Sequence, residues 1–379
     1  MGQHCPREPL TEAVGALLPL CGDKTTPILQ NILIEPGRGE NGSELTLTAM
    51  RENAIRAVRR VPVQSDSGGA PMLLPAKRLM DVLRALPGDT AELKPMKGKV
   101  RIISAGSQFD LQAGDPADYP AWAPLPTGDE RSVTVNSTQL SECLQHAMRA
   151  CEAEGARYAF HCVGIDLNSC DGQAIKLFST DGRQLVIRAM TVSHNNGAAL
   201  GEYDSEQVCK IPLPACKAIV GLLGEEVPVT MSMTDKTFSI TAHDMMCHGT
   251  AGSGRLPNYR SIVASARRFI ASMNPPDVSR ACRLAATVTT ITERGALFRF
   301  RDNQLQIQAA AADVGDADVS CLVSTDQEFE TRLDLRYLIG ALQSMPQTES
   351  VTWLQEDSDS ALAIVADGRF HMLMPLVNS

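Results

Sequence analysis

Apolar residues recur at helical spacing in three well-separated stretches. In residues 75–88, PAKRLMDVLRALPG, Leu79, Val82, Leu83 and Leu86 fall on one face. In residues 214–225, PACKAIVGLLGE, Ile219, Leu222 and Leu223 do the same; in residues 334–346, DLRYLIGALQSMP, so do Leu335, Leu338, Ile339 and Leu342. Pro75 and Pro214 suit a first helical position, and Gly88 and Gly224 suit a stop. A second helical pattern lies upstream of each, at residues 9–20, 137–150 and 276–290. Around them run stretches with strand patterning, among them KVRIISAGSQFDLQ, VPVTMSMTDKTFSITAH and SVTWLQEDSDSALAIVA. The order helix, strands, helix, strands thus occurs three times. Segment ends also rhyme, GDPADYPAW at 114–122 against GSGRLPNYR at 252–260. Boundaries near residues 130 and 268 give three α+β units, 1–129, 130–267 and 268–379.

One repeated slot carries the most suggestive polar residues. Residues 177–187, LFSTDGRQLVI, place Thr180-Asp181-Gly182 between two apolar runs, and SELTLTAMRENAIRA at 43–57 fills the same slot in the first unit. Asp-Gly is a strong turn pair because glycine accepts positive φ. Asp181 therefore reads as a turn former before it reads as a catalyst.

Composition narrows the classes. The formal net charge of -9 argues against a protein coated in Lys and Arg for nucleic acid. Yet the six helical patterns hold Lys77, Arg78, Arg84, Arg149, Lys217, Arg280, Arg283 and Arg336 against Glu12, Asp81, Glu142, Asp277 and Asp334. The helices are positive within an acidic chain, either because helices tolerate Lys and Arg well or because they share a surface facing a polyanion. The 11 cysteines are scattered and none forms CxxC, which fits reduced thiols in a cytoplasm. No stretch approaches a membrane helix. His243, Cys247 and His248 in HDMMCH are the densest ligand-type cluster, but on a strand Cys247 and His248 face opposite sides. GTAGSGR at 249–255 lacks the Gly-Lys-Ser/Thr of a phosphate loop, and neither GxSxG nor HExxH is present. No catalytic residue, metal or cofactor is expected.

In order along the chain, TTPILQNILIE, ARYAFHCVGIDL, STDGRQLVI, GRLPNYRSI and FHMLMPLVNS resemble the bacterial sliding clamp family, the beta subunit of DNA polymerase III. The resemblance implies three clamp domains per chain and a homodimeric ring of six, with helices lining a hole for double-stranded DNA and sheets outside. It implies a non-catalytic processivity factor, cytoplasmic and loaded by an ATP-driven partner. Lys24, Tyr158 and the eight helix cations would touch DNA without base readout. Phe109 and Leu111 would meet Thr287 and Val288 of a second copy. A pocket for short peptides of the polymerase alpha subunit, the clamp loader and repair proteins would use Phe160, Thr180, Gly182, Arg183, Leu185, Pro257, Ile262, Met372, Met374, Pro375 and Leu376. The chain departs from the family at Gln184 and Ser261, where arginines are common. It also departs in the tail Val377-Asn378-Ser379 and at Ala159, where a second tyrosine is frequent. These departures motivate an alternative within the fold, a divergent paralogue serving repair or a mobile element. A reading from another class is an enzyme using Asp181 or His243 in a cleft.

Overall fold

The repeat read from the sequence is built from strand halves. A computed structural model describes all residues except 1, 23–24, 40–41, 53, 65–68, 123–130, 153–157, 168–173, 197–207, 225, 265–267 and 377–379. In the first unit Gln3–Pro6, Thr90–Met96, Lys99–Ser104 and Ser107–Gln112 lie side by side, and Met72–Pro75, Asn31–Gly39, Gly42–Arg51 and Ile55–Pro62 form the second half. The second unit repeats this with Arg131–Asn136, Pro228–Met233, Thr237–Ala242 and Met245–Thr250, then Cys209–Pro212, Cys162–Asp166, Ala174–Thr180 and Gln184–Thr191. The third does so with Phe269–Met273, Val351–Leu354, Leu362–Ala366 and Arg369–Leu373, then Phe329–Asp334, Gly295–Arg301, Gln304–Ala311 and Gly315–Leu322. The first expected boundary falls on residues outside the described set, and the second falls where residues 265–267, also outside it, meet Arg268.

The halves fuse across units. Met245–Thr250 pairs antiparallel with Ile55–Pro62, and a nine-stranded sheet runs from the first unit into the second. Arg369–Leu373 pairs with Gln184–Thr191, and an eight-stranded sheet joins the second to the third. Two four-stranded sheets remain at the chain's extremes, ending in Ser107–Gln112 and Gly315–Leu322. Neither strand has an outer neighbour among the described residues.

The helices follow the same threefold rule: α1 (Arg7–Leu17), α2 (Ala76–Ala85), α3 (Ser137–Ala147), α4 (Leu213–Leu222), α5 (Tyr259–Val263), α6 (Pro275–Ala285) and α7 (Leu335–Ser344). Asn136, Asn274 and Asp334 accept backbone N–H groups at the starts of α3, α6 and α7, satisfying donors that the helix itself leaves open. Two expectations need correction. Pro75 precedes α2 as its cap residue, and Pro214 is the second residue of α4. The stops are made by Leu86 and Leu223, which turn extended ahead of the glycines. Leu86 is buried in the core, so burial rather than glycine's freedom ends α2. The short α5 was not anticipated.

Helices α1 to α4 share one core with the inner faces of the three sheets to which the first two units contribute, and α6 and α7 share another with the third unit. The opposite faces of the two fused sheets carry separate small clusters, centred on Phe178 and Tyr259 in one and on Leu29 and Tyr119 in the other. All six long helices therefore lie on one side of the sheets.

Candidate functional site

The Thr180-Asp181-Gly182 turn closes the hairpin between Ala174–Thr180 and Gln184–Thr191, where Gly182 has φ +86°. Asp181 is fully used by the turn. Its Oδ1 accepts from the backbone N–H groups of Arg183 at 2.8 Å and Gln184 at 2.9 Å, and Oδ2 accepts from Gln184 Nε2 at 2.9 Å. Thr180 Oγ1 donates to Gln184 O at 2.6 Å and accepts from Gly182 N–H at 3.0 Å. A carboxylate spent this way orients a rim.

Gln184 also reaches across the junction of the second and third units. Its Oε1 lies 3.0 Å from His371 Nε2, and Ser344 Oγ lies 3.3 Å from His371 Nδ1. Burial, then His146 and Arg149, push His371 down to about 3, so the ring is neutral and its Nε2–H donates to the amide. Gln184 supplies an acceptor that an arginine side chain does not have. That is the physical content of this departure from the family pattern.

Beside the turn lies an apolar cluster on the outer sheet face. Phe160, Leu185 and Met372 are buried in it, and Ile262 and Val263 pack against it. Leu185 and Met372 are directly paired across the junction. Met374 and Leu376 stand at the rim, 53% and 40% exposed, while Pro375 between them is buried. Met374 N–H donates to Arg183 O at 2.8 Å and Leu376 N–H to Arg332 O at 2.8 Å, so the chain's last described residues are laced to the turn and to the third unit. Pro257 is half-buried; Ser261, within α5, is exposed and donates back to Asn258 O at 2.8 Å. The structure thus gathers Phe160, Thr180, Gly182, Arg183, Gln184, Leu185, Ile262, Met372, Met374, Pro375 and Leu376 around one junction, while Pro257 and Ser261 are chain neighbours of its cluster members Leu256 and Ile262. It adds residues the sequence reading did not single out. Tyr259 OH donates to Asp166 Oδ2 at 2.6 Å, Arg260 Nη2 donates to the same oxygen at 2.8 Å, and the Tyr259 ring lies 4.5 Å from that of Phe178. Their only signal was membership of the quoted GRLPNYRSI and ARYAFHCVGIDL segments.

On the helix side, Lys77, Arg78, Arg84, Arg149, Lys217, Arg280, Arg283 and Arg336 are all exposed. Arg280 pairs with Asp277 at 2.7 Å and Arg336 with Asp334 at 2.9 Å. Lys24 lies outside the described residues, as do the side chain of Tyr158 and the tail Val377-Asn378-Ser379.

At the free edges, Phe109 and Leu111 are partly buried against the core while Gln108 and Asp110 point outward. Asp110 is held well below the usual carboxylate range by hydrogen bonds from Arg101 and Lys99. Thr287 and Val288 follow α6 in a single 3-10 turn beside the other free edge. There Leu284, Ile291 and Leu322 are 55%, 82% and 77% exposed, an apolar fringe that the sequence reading missed.

Cys247 is buried in the core and His248 faces the other side, as the strand reading required, half-buried under Trp122. Burial pushes the thiols of Cys5, Cys21, Cys151, Cys209 and Cys247 up to about 12, so they stay protonated at neutral pH. Among the described residues no group of three or more His, Cys, Asp or Glu is placed to hold a metal. No helix among them is long and apolar enough to cross a membrane.

Comparison with known proteins agrees with this geometry. Residues 1–123 match the family model of the DNA polymerase III beta subunit, N-terminal domain. The chain is 20% identical to the beta sliding clamp of Vibrio cholerae, covering 97% of this chain and 96% of the relative, and 23% identical to that of Pseudomonas putida, covering 93% of each. It is 24% identical to the beta sliding clamp homolog GriR of Streptomyces muensis, covering 92% of this chain and 88% of the relative. Among solved structures, the sliding clamp of Pseudomonas aeruginosa bound to griselimycin superposes with a TM-score of 0.84 at 19% identity, covering 100% of both chains. The DNA polymerase III beta subunit of Thermotoga maritima does so with 0.86 at 15% identity, again covering 100% of both.

Proposed function

We propose that this chain, a member of the bacterial beta sliding clamp family, works as a sliding clamp. Two copies close head to tail around duplex DNA and tether polymerases through a groove for short peptides. The observation that carries this reading is the pair of unpartnered sheet edges. Ser107–Gln112 corresponds to Met245–Thr250 and Arg369–Leu373, each the fourth strand of its half. Gly315–Leu322 corresponds to Ile55–Pro62 and Gln184–Thr191. The corresponding strands pair at both internal junctions, so two chains that pair these outer edges twice leave no fourth strand without a partner.

Such a ring carries the exposed cations of the long helices on one wall. Contact with phosphates alone neutralises charge without reading bases, which lets the ring slide. The acidic remainder of the chain disfavours DNA elsewhere. The rim built by Thr180, Gly182, Leu185, Met372, Met374 and Leu376 receives the apolar anchors of peptides from the polymerase alpha subunit, the loader and repair proteins, since adaptable Met and Leu side chains suit such anchors. Holding a polymerase there replaces diffusion with intramolecular rebinding. The protein performs no reaction of its own and works in the cytoplasm.

The test is topological. Loaded on nicked circular DNA, the protein is expected to stay bound in high salt and to leave when the circle is cut. Equal loss from circular and linear DNA overturns the reading. The internal use of Gln184 and Ser261 favours a second one, a paralogue with altered partners. It predicts intact encirclement with no measurable affinity for peptides that bind a standard clamp.

A further inference from the structure

The two internal junctions are built to one plan. The hairpins Thr237–Ala242/Met245–Thr250 and Leu362–Ala366/Arg369–Leu373 both close with Ala paired to the first residue of the second strand, Ala242 to Met245 and Ala366 to Arg369. Counting along each from that pair, His248 takes the position of Met372. Across the junctions His248 pairs with Arg56 where Met372 pairs with Leu185. The floor of the peptide groove between the second and third units thus has a counterpart between the first and second.

What lies over each floor differs. After the fourth strand of its first half, Ser107–Gln112 in the first unit and Met245–Thr250 in the second, the chain passes through a Pro-X-aromatic step, Pro120-Ala121-Trp122 and Pro257-Asn258-Tyr259. The Tyr259 ring is drawn onto Phe178, and its hydroxyl is tied to Asp166. Trp122 instead lies on the position of the floor, stacked on His248 with ring centroids 4.8 Å apart and planes at 20°. The stack is imperfectly satisfied, because Trp122 Nε1 and His248 Nε2 are both buried without a hydrogen-bond partner among the described residues. Burial and Arg56 push His248 down to about 4, so the ring beneath the indole is neutral.

We propose that the junction of the first and second units is a second groove of the same kind, for an extended peptide with apolar anchors, held shut by the side chain of Trp122. The inference rests on the reading of the first groove given above. The indole occupies the space that an anchor side chain would fill, and the unpaired indole and imidazole nitrogens mark it as an occupant that can leave. A chain with two like junctions thereby keeps one groove in use.

The test uses griselimycin, found bound to the Pseudomonas aeruginosa relative, titrated calorimetrically against the full chain. One equivalent per chain is expected for the native protein and for Trp122→Phe, which keeps a ring on His248. Two are expected for Trp122→Ala, falling to one when Met374→Asp is added at the rim of the first groove. A stoichiometry of one in Trp122→Ala, lost altogether on adding Met374→Asp, overturns the inference and leaves the first groove standing. No binding to native protein but one equivalent to Trp122→Ala supports the inference and sinks the first groove as the griselimycin site; binding to neither overturns both. Should Trp122→Ala fail to fold, His248→Ala asks the same question. The other tryptophan, Trp353, is fully buried, so acrylamide quenching reads Trp122. Stronger quenching and a second equivalent are expected; unchanged quenching and one equivalent reject the plug.

Discussion

Asp181 shows how a residue with catalytic looks is absorbed by structure. Three hydrogen bonds converge on its carboxylate, each worth about 1 kcal/mol net. Asp181→Ala is expected to cost roughly 2–3 kcal/mol in a denaturant titration and to weaken peptide binding with it, while Asp181→Asn, which keeps one acceptor oxygen, costs about half. The turn was legible because Asp-Gly has a local signature. Its partner His371 was not, since it comes from a strand 187 residues away. His371 and His146 form a second residue-scale case. Burial is the main reason each is pushed down to about 3, with Arg369, Arg188 and Arg149 adding to it at His146. Both rings are neutral in the fold, and unfolding frees them to bind protons near 6.5. The stability from this source is complete above about pH 6.5 and is lost as pH falls toward about 3. Both His146 nitrogens are buried without partners among the described residues, so His146→Leu is expected to stay within about 1 kcal/mol of native stability at pH 8. It should lose less between pH 8 and pH 5. Denaturant midpoints at the two pH values decide it, and an equally steep loss refutes it.

At the scale of elements, α1 and α4 come closer than side chains allow. A Cβ on Gly221 would stand 2.9 Å from Ala16 Cα, and the obstructing atom is backbone. Gly221→Val is therefore expected to destabilise the contact between the first two units by about 1–3 kcal/mol, an overpacking cost read from thermal unfolding. Unchanged stability would mean that α4 shifts freely on α1. The long helices were legible in the sequence because a 3.6-residue period is a local property of some ten residues. Three things were not. The five residues of α5 are too few to show a period. The true stops at Leu86 and Leu223 depend on what these side chains pack against. The fusion of sheets across units rests on pairings such as Met245 with Arg59, a register that no local pattern encodes. Ala16, His146 and Leu284 show the same limit. Each is the next-to-last residue of its helix, α1, α3 or α6. Only the fold reveals that Ala16 meets Gly221, while Leu284 is left exposed.

At the scale of the whole molecule, the internal junctions dictate how the outer edges should meet. Met245 faces Arg59, and Arg369 faces Arg188, at the first residue after each hairpin turn. Ser107 holds that place in the free edge of the first unit. Val319 holds the place of Arg59, four residues beyond hairpin pairs that match, Arg51 with Ile55 and Ala311 with Gly315. Ser107 of one chain should therefore face Val319 of the other, Phe109 should face Ala317, and Leu111 should face Gly315. Phe109→Ala with Leu111→Ala is expected to give monomers by sedimentation, since truncating large apolar groups costs about 2–5 kcal/mol each when they are buried. Register is tested more sharply by cross-linking. Gln108 should lie opposite Asp318, with Cβ atoms about 5 Å apart, within reach of a disulfide. Gln108→Cys with Asp318→Cys should give oxidised, ring-closed dimers in which both interfaces are linked, whereas pairing Gln108→Cys with Asp316→Cys should link poorly. The native thiols interfere little, because burial raises those of Cys282 and Cys321 nearest this edge. Efficient linkage in the second pair and none in the first would place the edges two residues out of register. The junction plan inferred from the two internal contacts would then not extend to the third.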